Sequence, residues 1–169
     1  MLSYGDISLR VINFAFLVVI LGLTGSLAAT ADNHNPQVNF AVFAAAFGLL
    51  TSTFYGVLAF FVSFLASPLF LAIWDFLNFV FTFAAGTALA VAIRCHSCHN
   101  QSYLDSNAVT QGSTDRCRKG QASVAFLYFS FFIFLFSLVM SSLSILKNGL
   151  LGSSSSSPAR TGVPTMSQV

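Results

Sequence analysis

Long apolar stretches separated by short polar segments dominate the chain. The four longest intervals without Asp, Glu, Lys or Arg are residues 11–31, 33–74, 76–93 and 120–146. A helix needs about 20 mainly apolar residues, each rising about 1.5 Å, to cross a bilayer. The pattern therefore predicts four membrane spans, which cover residues 11–29, 40–65, 69–93 and 122–145.

These spans are predicted to be helical because backbone groups inside hydrocarbon must form hydrogen bonds within the protein. Strands of a membrane β-barrel would be shorter and would alternate in polarity, which these stretches do not. The predicted fold class is therefore an all-α integral membrane protein, a four-transmembrane-helix bundle. It occupies residues 1–146 as one domain, and the Gly/Ser-rich residues 147–169 are predicted to be a disordered tail.

Composition agrees with a membrane protein and limits its partners. Hydrophobic residues make up 56% of the 169, charged residues only 7%, and 20 residues are phenylalanine. So few charges cannot cover the surface of a soluble domain, so lipid must solvate much of the chain. The net charge of +2 is too small and too scattered to indicate a nucleic-acid partner.

The first apolar stretch also resembles a cleavable signal peptide. Arg10 precedes the apolar run, and small residues around Ala29 follow it. The run is longer than the usual 7–15 residues of such a peptide, however, and three more spans follow. We therefore favour a retained signal anchor.

Four crossings place both termini on one face of the membrane and the two polar loops on the other. Basic residues number three on the terminal face and four on the loop face, so the positive-inside rule does not decide the orientation. The long loop, Arg94–Gln121, holds all three cysteines and the glycosylation sequon that begins at Asn100. We therefore predict an external loop and cytosolic termini.

Polar residues inside the spans are candidates for function. Asp75 lies about two turns inside the third span, where a carboxylate costs about 2–3 kcal/mol. Asn78 follows three residues later, and Asn13 approaches from the first span. Asp75 either senses lipid headgroups as a protonatable site or fixes the helices through internal hydrogen bonds. We favour the second interpretation because no second charge accompanies Asp75; Arg10 is expected to pair with Asp6, four residues before it.

Small and aromatic residues indicate how the helices associate. Small residues at close spacing on the third span predict tight contacts between helices. They are Ala84, Gly86, Ala88 and Ala90. We favour contacts within the chain over contacts in a homo-oligomer. Phenylalanines surround the fourth span, so some of them must face lipid or another subunit. The tail ends in Ser167, Gln168 and Val169, which is either a PDZ-type ligand or simply a disordered end.

The stretch "RCHSCHN", residues 94–100, carries several possible chemistries. C-x-x-C-H is the attachment signature of c-type haem, and a C-x-x-C pair is also found in thiol-disulfide oxidoreductases. Cys95, Cys98 and Cys117 with a histidine would supply four zinc ligands, although the spacing lacks a second tight pair. Cys95 or Cys98 could instead be half of a structural disulfide. The residues alone leave these alternatives open.

Two long phrases identify a family resemblance. "WDFLNFVFTFAAGTALAVAIRCHSC" and "SYLDSNAVTQGSTDRCRKGQASVAFLYFS" are similar to the fungal non-classical export protein family, a branch of the MARVEL-domain tetraspan proteins. The resemblance implies a MARVEL-type bundle in the plasma membrane with cytosolic termini. It also implies a role in organising furrow-like membrane domains, called eisosomes, and a response to sphingolipid. No enzymatic activity and no cofactor are implied.

The resemblance also narrows the interpretation of the cysteines. Cys98 and Cys117 match the family pattern, whereas Cys95 departs from it, so a disulfide between Cys98 and Cys117 is favoured. The leading function is a non-enzymatic membrane organiser whose partners are sphingolipid or sterol and cytosolic eisosome scaffold proteins. The alternative is a membrane thiol-disulfide oxidoreductase using Cys95 and Cys98, but this would need a second cysteine pair.

Overall fold

The protein is described by a computed structural model that covers residues 4–54, 68–94 and 96–148. The helices are α1 (Tyr4–Ala29), α2 (Pro36–Leu49), α3 (Pro68–Ile93), α4 (Gln101–Ser106) and α5 (Thr114–Asn148), and a π-helical segment, Leu50–Phe54, continues α2. Within α1, α3 and α5 the segments long and apolar enough to cross a membrane are Ser8–Ala29, Leu69–Ile93 and Thr114–Leu146. With the shorter apolar α2, they confirm the predicted all-α four-helix membrane fold.

The ends of the helices differ from the predicted spans. The loop predicted over Arg94–Gln121 instead contains α4 and the first turns of α5, which begins at Thr114 rather than at residue 122. Ser113 caps α5, because its Oγ accepts a hydrogen bond from the N–H of Arg116 at 3.4 Å. The apolar run marks only the part of a helix inside the membrane, whereas charged residues extend the same helix beyond it.

Several predicted features lie outside the described residues. These are residues 55–65 of the span predicted over 40–65, Cys95, and the tail from residue 149, with Ser167, Gln168 and Val169.

The helices form a ring in which each spanning helix packs against two neighbours. α1 packs against α2 and α5, and α3 packs against the same two helices. α1 and α3 therefore face each other across the diagonal of the bundle. Because they are separated by one returning helix, α1 and α3 run in the same direction, and their N-terminal ends share the terminal face.

Buried positions in the long helices recur at alternating steps of three and four residues. In α1 they are Asn13, Leu17, Ile20, Thr24 and Leu27. In α5 they are Arg116, Gly120, Ser123, Leu127, Ser130, Phe134 and Ser137, and the disulfide-bonded Cys117 is buried beside this seam. This spacing is the heptad seam of helices that cross at shallow angles with left-handed supercoiling. Many of these core positions are polar, so the bundle buries polar groups that lipid could not solvate.

The outer surface of the bundle is apolar and aromatic. On α5, Phe129, Phe132 and Phe136 are 54%, 60% and 52% exposed, whereas Phe134 is buried. Large apolar side chains of α1 and α3, such as Val11 and Phe76, are exposed in the same way. Lipid is therefore the expected solvent for this surface.

Small residues bring α3 and α5 close together. A Cβ atom on Gly86 would lie 3.3 Å from the Cβ of Leu127, which leaves room there only for glycine or a small displacement. Ala85 and Leu89 are fully buried beside it. The other small residues of the predicted contact surface, Ala84, Ala88 and Ala90, are half-buried.

Candidate functional site

An ion pair joins α1 to α3 inside the bundle. Nη2 of Arg10 donates a hydrogen bond to Oδ2 of Asp75 at 3.2 Å, and the two side chains are 14% and 2% exposed. The expectation that no second charge accompanies Asp75 is therefore wrong. Pairing makes a carboxylate tolerable at this depth, because each charge compensates part of the desolvation of the other.

Asn78 connects α3 to the end of α2, one turn from the ion pair. Its Nδ2 donates to Oγ1 of Thr51 at 2.7 Å and to the carbonyl oxygen of Trp74 at 2.9 Å. Thr51 in turn donates to the carbonyl oxygen of Phe47 at 2.8 Å. The amide thus fixes the position of α3 relative to the carboxyl end of α2.

Three buried polar atoms have no hydrogen-bond partner among the described residues: Oδ1 of Asn13, Oδ1 of Asn78 and Oγ of Ser130. The amide oxygen of Asn78 faces Gly48, on which a Cβ atom would lie 3.3 Å from it. A Cα–H group at this position offers only a weak hydrogen bond. We define Arg10, Asn13, Thr51, Asp75 and Asn78 as the buried polar cluster; its described contacts are one ion pair between α1 and α3 and the hydrogen bond from Asn78 to Thr51.

The long loop closes the other end of the bundle. This loop cap, residues 96–113, satisfies carbonyl groups that the last turn of α3 leaves without partners. Nδ2 of Asn107 donates to the carbonyl oxygen of Ala92 at 2.8 Å. The hydroxyl of Tyr103 donates to the carbonyl oxygen of Ile93. The cap therefore stabilises the end of a membrane-spanning helix.

Arg116 joins the cap to α1 and α5. It is 8% exposed, and its Nε donates to the carbonyl oxygen of Val109 at 3.0 Å, while Nη1 donates to Oγ1 of Thr30. Lys119, one turn further along α5, donates to Oγ of Ser26 at 3.2 Å. These bonds attach the loop face of α5 to the carboxyl end of α1.

A disulfide joins Cys98 of the cap to Cys117 in the first turn of α5, with the Cα atoms 5.7 Å apart. Both half-cystines are buried against Tyr103 and Leu104. While this bond is present, Cys98 cannot pair with Cys95, bind zinc as a thiolate or carry haem. In the part of the chain that the structure describes, no three His, Cys, Asp or Glu side chains converge to hold a metal ion.

Two open clefts lie on the loop cap. The larger, of about 570 Å³, lies between the cap and the first turn of α2; its polar lining includes Asn35, Gln37, Arg94, His96, Asn100 and Ser102. The smaller, of about 410 Å³, includes Asp32 and Asp105 in its lining. Asn100 of the sequon is exposed, and its Oδ1 caps α4 by accepting a hydrogen bond from the N–H of Tyr103.

Sequence reasoning overlooked most residues of the cap and the serines of α5. Arg116, Tyr103 and Asn107 act through contacts with distant elements, for which the sequence carries no local signal. Ser123, Ser130 and Ser137 had such a signal, because polar residues seven apart within an apolar helix mark its buried side.

The helices, the buried polar cluster and the apolar outer surface together define a multi-pass membrane protein. The MARVEL family model, described as a membrane-associating domain, matches residues 3–140. Non-classical export protein 102 of Candida albicans is 66% identical over the full length of both chains. Non-classical export protein 2 of Saccharomyces cerevisiae is 55% identical, again over both full lengths.

A more distant relative is the non-classical export protein 2 homolog of Schizosaccharomyces pombe. It is 36% identical over 78% of this chain and 73% of its own length. No solved structure matches the chain. The chain therefore belongs to the fungal non-classical export protein family of MARVEL-domain membrane proteins.

Proposed function

We propose that the chain is a non-enzymatic organiser of furrow-type, eisosome-associated domains in the plasma membrane. In this role it responds to sphingolipid and affects protein localisation or non-classical export. One observation carries the proposal: the bundle turns its polar groups inward and large apolar side chains outward on α1, α3 and α5. Such a surface contacts lipids and neighbouring membrane proteins rather than a water-soluble substrate.

The names of the relatives support the link to export, since the Candida albicans and Saccharomyces cerevisiae proteins are both called non-classical export proteins. The partners we propose are sphingolipid or sterol along the outer surface and cytosolic scaffold proteins at the termini. The disulfide of Cys98 argues against the alternative thiol-disulfide oxidoreductase, because that enzyme would need Cys98 paired with Cys95.

We place both termini in the cytosol and the loop cap outside the cell. The disulfide supports this orientation, because disulfides persist in oxidising compartments and are rare in the cytosol. The ion pair of Arg10 and Asp75 would then lie toward the cytosolic end of the bundle.

Fluorescence imaging of the tagged chain beside a furrow marker tests the organising role. The chain should coincide with the marker and should redistribute when sphingolipid synthesis is inhibited. A triple variant with leucine at Phe129, Phe132 and Phe136 should stay in the membrane but lose the furrow pattern, because only the outward surface changes. Val139→Leu, a change at another exposed position of α5, is the matched control. A uniform distribution that sphingolipid depletion does not alter would contradict the proposal.

A further inference from the structure

The larger cleft opens where α2 and α3 leave the hydrocarbon on the loop face. Val91 and Ala92, in the last turn of α3, form one wall, and Asn35 and Gln37, at the start of α2, also line the cleft. Val91 is 70% exposed on the apolar outer surface of the bundle. The cleft therefore combines a polar lining with an edge that meets lipid.

The charge on the cleft is positive. Arg94 lines the cleft and is exposed, and no hydrogen bond or ion pair of its side chain is found within residues 4–54, 68–94 and 96–148. Neither Asp nor Glu is among the described lining residues. The carboxylates of Asp32 and Asp105 line the smaller cleft, which adjoins the larger one and shares Ser106, Asn107 and Ala108 with it. A guanidinium group with five donors and no described counter-ion suits a planar or tetrahedral oxyanion.

Neutral donors complement this charge. Oδ1 of Asn35 accepts hydrogen bonds from the N–H groups of Gln37 and Val38, which leaves its Nδ2 group to donate. Oδ1 of Asn100 accepts from the N–H of Tyr103, so its Nδ2 group is left in the same way. The first turn of α2 adds only the positive end of the helix dipole, because Pro36 has no N–H and those of Gln37 and Val38 already donate to Asn35. Amide donors and a cation are the groups that bind phosphate oxygens.

The backbone of Arg94 is a further observation. Its φ of +54° lies in the left-handed region, which glycine adopts freely and arginine does not. Helices commonly end in a residue with left-handed φ, and that residue is most often glycine. An arginine at this position is explained if its side chain contributes something that glycine lacks.

We propose that this cleft binds a phosphate monoester or diester, with Arg94 as the ion partner, and that the source is a membrane lipid headgroup. The exposed apolar edge at Val91 favours a lipid, because it would contact the acyl chains while the phosphate occupies the polar lining. The inference deepens the proposed function and rests on it for the membrane setting alone. It assigns lipid recognition to the loop cap.

Binding to the purified full-length chain in a neutral detergent tests this inference. Phosphatidylinositol and a diacylglycerol with the same acyl chains are the probes, titrated against the labelled protein by thermophoresis. We expect phosphatidylinositol to bind at least about tenfold more tightly, because charge-assisted hydrogen bonds to the phosphate are absent from diacylglycerol. Arg94→Gln should weaken phosphatidylinositol binding about tenfold, whereas Arg118→Gln, an exposed arginine outside the cleft, should leave it unchanged.

Arg94→Gly distinguishes a loss of binding from a loss of folding. Glycine suits the φ of +54°, so this variant should unfold at the same or a higher temperature while losing the tight binding of phosphatidylinositol. Equal affinity for the two probes, or full binding by Arg94→Gly, would overturn the inference. Displacement of phosphatidylinositol by inorganic phosphate alone would retain the phosphate site but reject the lipid as its source. The imaging experiment can fail while this binding persists, so the two proposals are separable.

Discussion

The guanidinium group of Arg10 lies 3.2 Å from the carboxylate of Asp75, across the diagonal of the bundle. The two residues are 65 positions apart in the chain, and α1 and α3 have few other direct contacts. The ion pair therefore connects α1 to α3, which are not neighbours in the ring of helices. It lies near the N-terminal ends of both helices, on the face opposite the loop cap.

Removal of either charge should destabilise the bundle. Asp75→Leu leaves Arg10 without its carboxylate, and Arg10→Met leaves Asp75 without its cation, so each should cost about 3 kcal/mol. The double variant should recover most of this loss, because apolar side chains often replace a buried ion pair without penalty. Unfolding in detergent micelles measures the three variants. Additive losses would show that the two side chains act independently.

A side chain at Gly48 would force its neighbours to shift. A Cβ atom there would lie 3.1 Å from both Cδ atoms of Leu17 and 3.3 Å from Oδ1 of Asn78. Gly48→Ala should therefore destabilise the chain by about 1–3 kcal/mol. Gly22→Ala is the matched control, since a Cβ atom on Gly22 meets nothing within 4 Å. Thermal unfolding should separate the two, and Leu17→Val should restore part of the loss at Gly48.

Two buried serines on α5 should respond differently to alanine. The hydroxyl of Ser123 donates to the carbonyl oxygen of Lys119 at 2.8 Å, whereas Oγ of Ser130 has no hydrogen-bond partner among the described residues. Ser123→Ala should cost about 0.5–1.5 kcal/mol, and Ser130→Ala should be neutral or stabilising. Equilibrium unfolding of both variants tests the difference. A larger loss at Ser130 would reveal a partner for its hydroxyl in the membrane.

The disulfide should act as a single stabilising unit. Cys98→Ser and Cys117→Ser should each lower the free energy of unfolding by about 3 kcal/mol, since the bond closes a loop with a sequence separation of 19. The double variant should add little, because both substitutions remove the same bond. Mass spectrometry of unreduced peptides identifies the pairing directly. A peptide joining Cys95 to Cys98 would contradict it.

The proposed orientation has a direct test. Protease added to intact protoplasts should spare a C-terminal tag, because both termini are placed in the cytosol. An epitope inserted into the loop cap near Gln111, which lies in a turn, should be cleaved or labelled from outside. Loss of the C-terminal tag with protection of the loop epitope would reverse the orientation.

The sequence predicted the spanning helices because their signal is local. Apolar runs without charge and of sufficient length identify α1 and α3 almost to the residue at their carboxyl ends, Ala29 and Ile93. α5 extends beyond its predicted span at both ends, since helix formation does not require apolar side chains. Local reasoning therefore found the membrane-embedded parts and missed the polar extension from Thr114.

The polar contacts were harder to predict because they depend on how the helices are rotated. Asp75 and Asn78 were recognised as exceptional, but pairing Asp75 with Arg10 requires knowing which side of α1 faces α3. The contacts of Arg116 with Val109 and Thr30 depend likewise on a loop that folds back over the helix ends. Such information is distributed over residues far apart in the chain.

The lengths of the spanning helices have a consequence for the thickness of the surrounding bilayer. Leu69–Ile93 holds 25 residues, which corresponds to about 37 Å of helix, and a typical hydrocarbon layer is about 30 Å thick. The apolar part of α5, residues 122–145, is of similar length, with 24 residues. This excess must be accommodated by tilt or by local thickening of the bilayer, and it lowers the free energy of the protein in thicker membranes. Sterol- and sphingolipid-rich membranes are a few Å thicker than average, so we expect hydrophobic mismatch to favour the chain's residence in them.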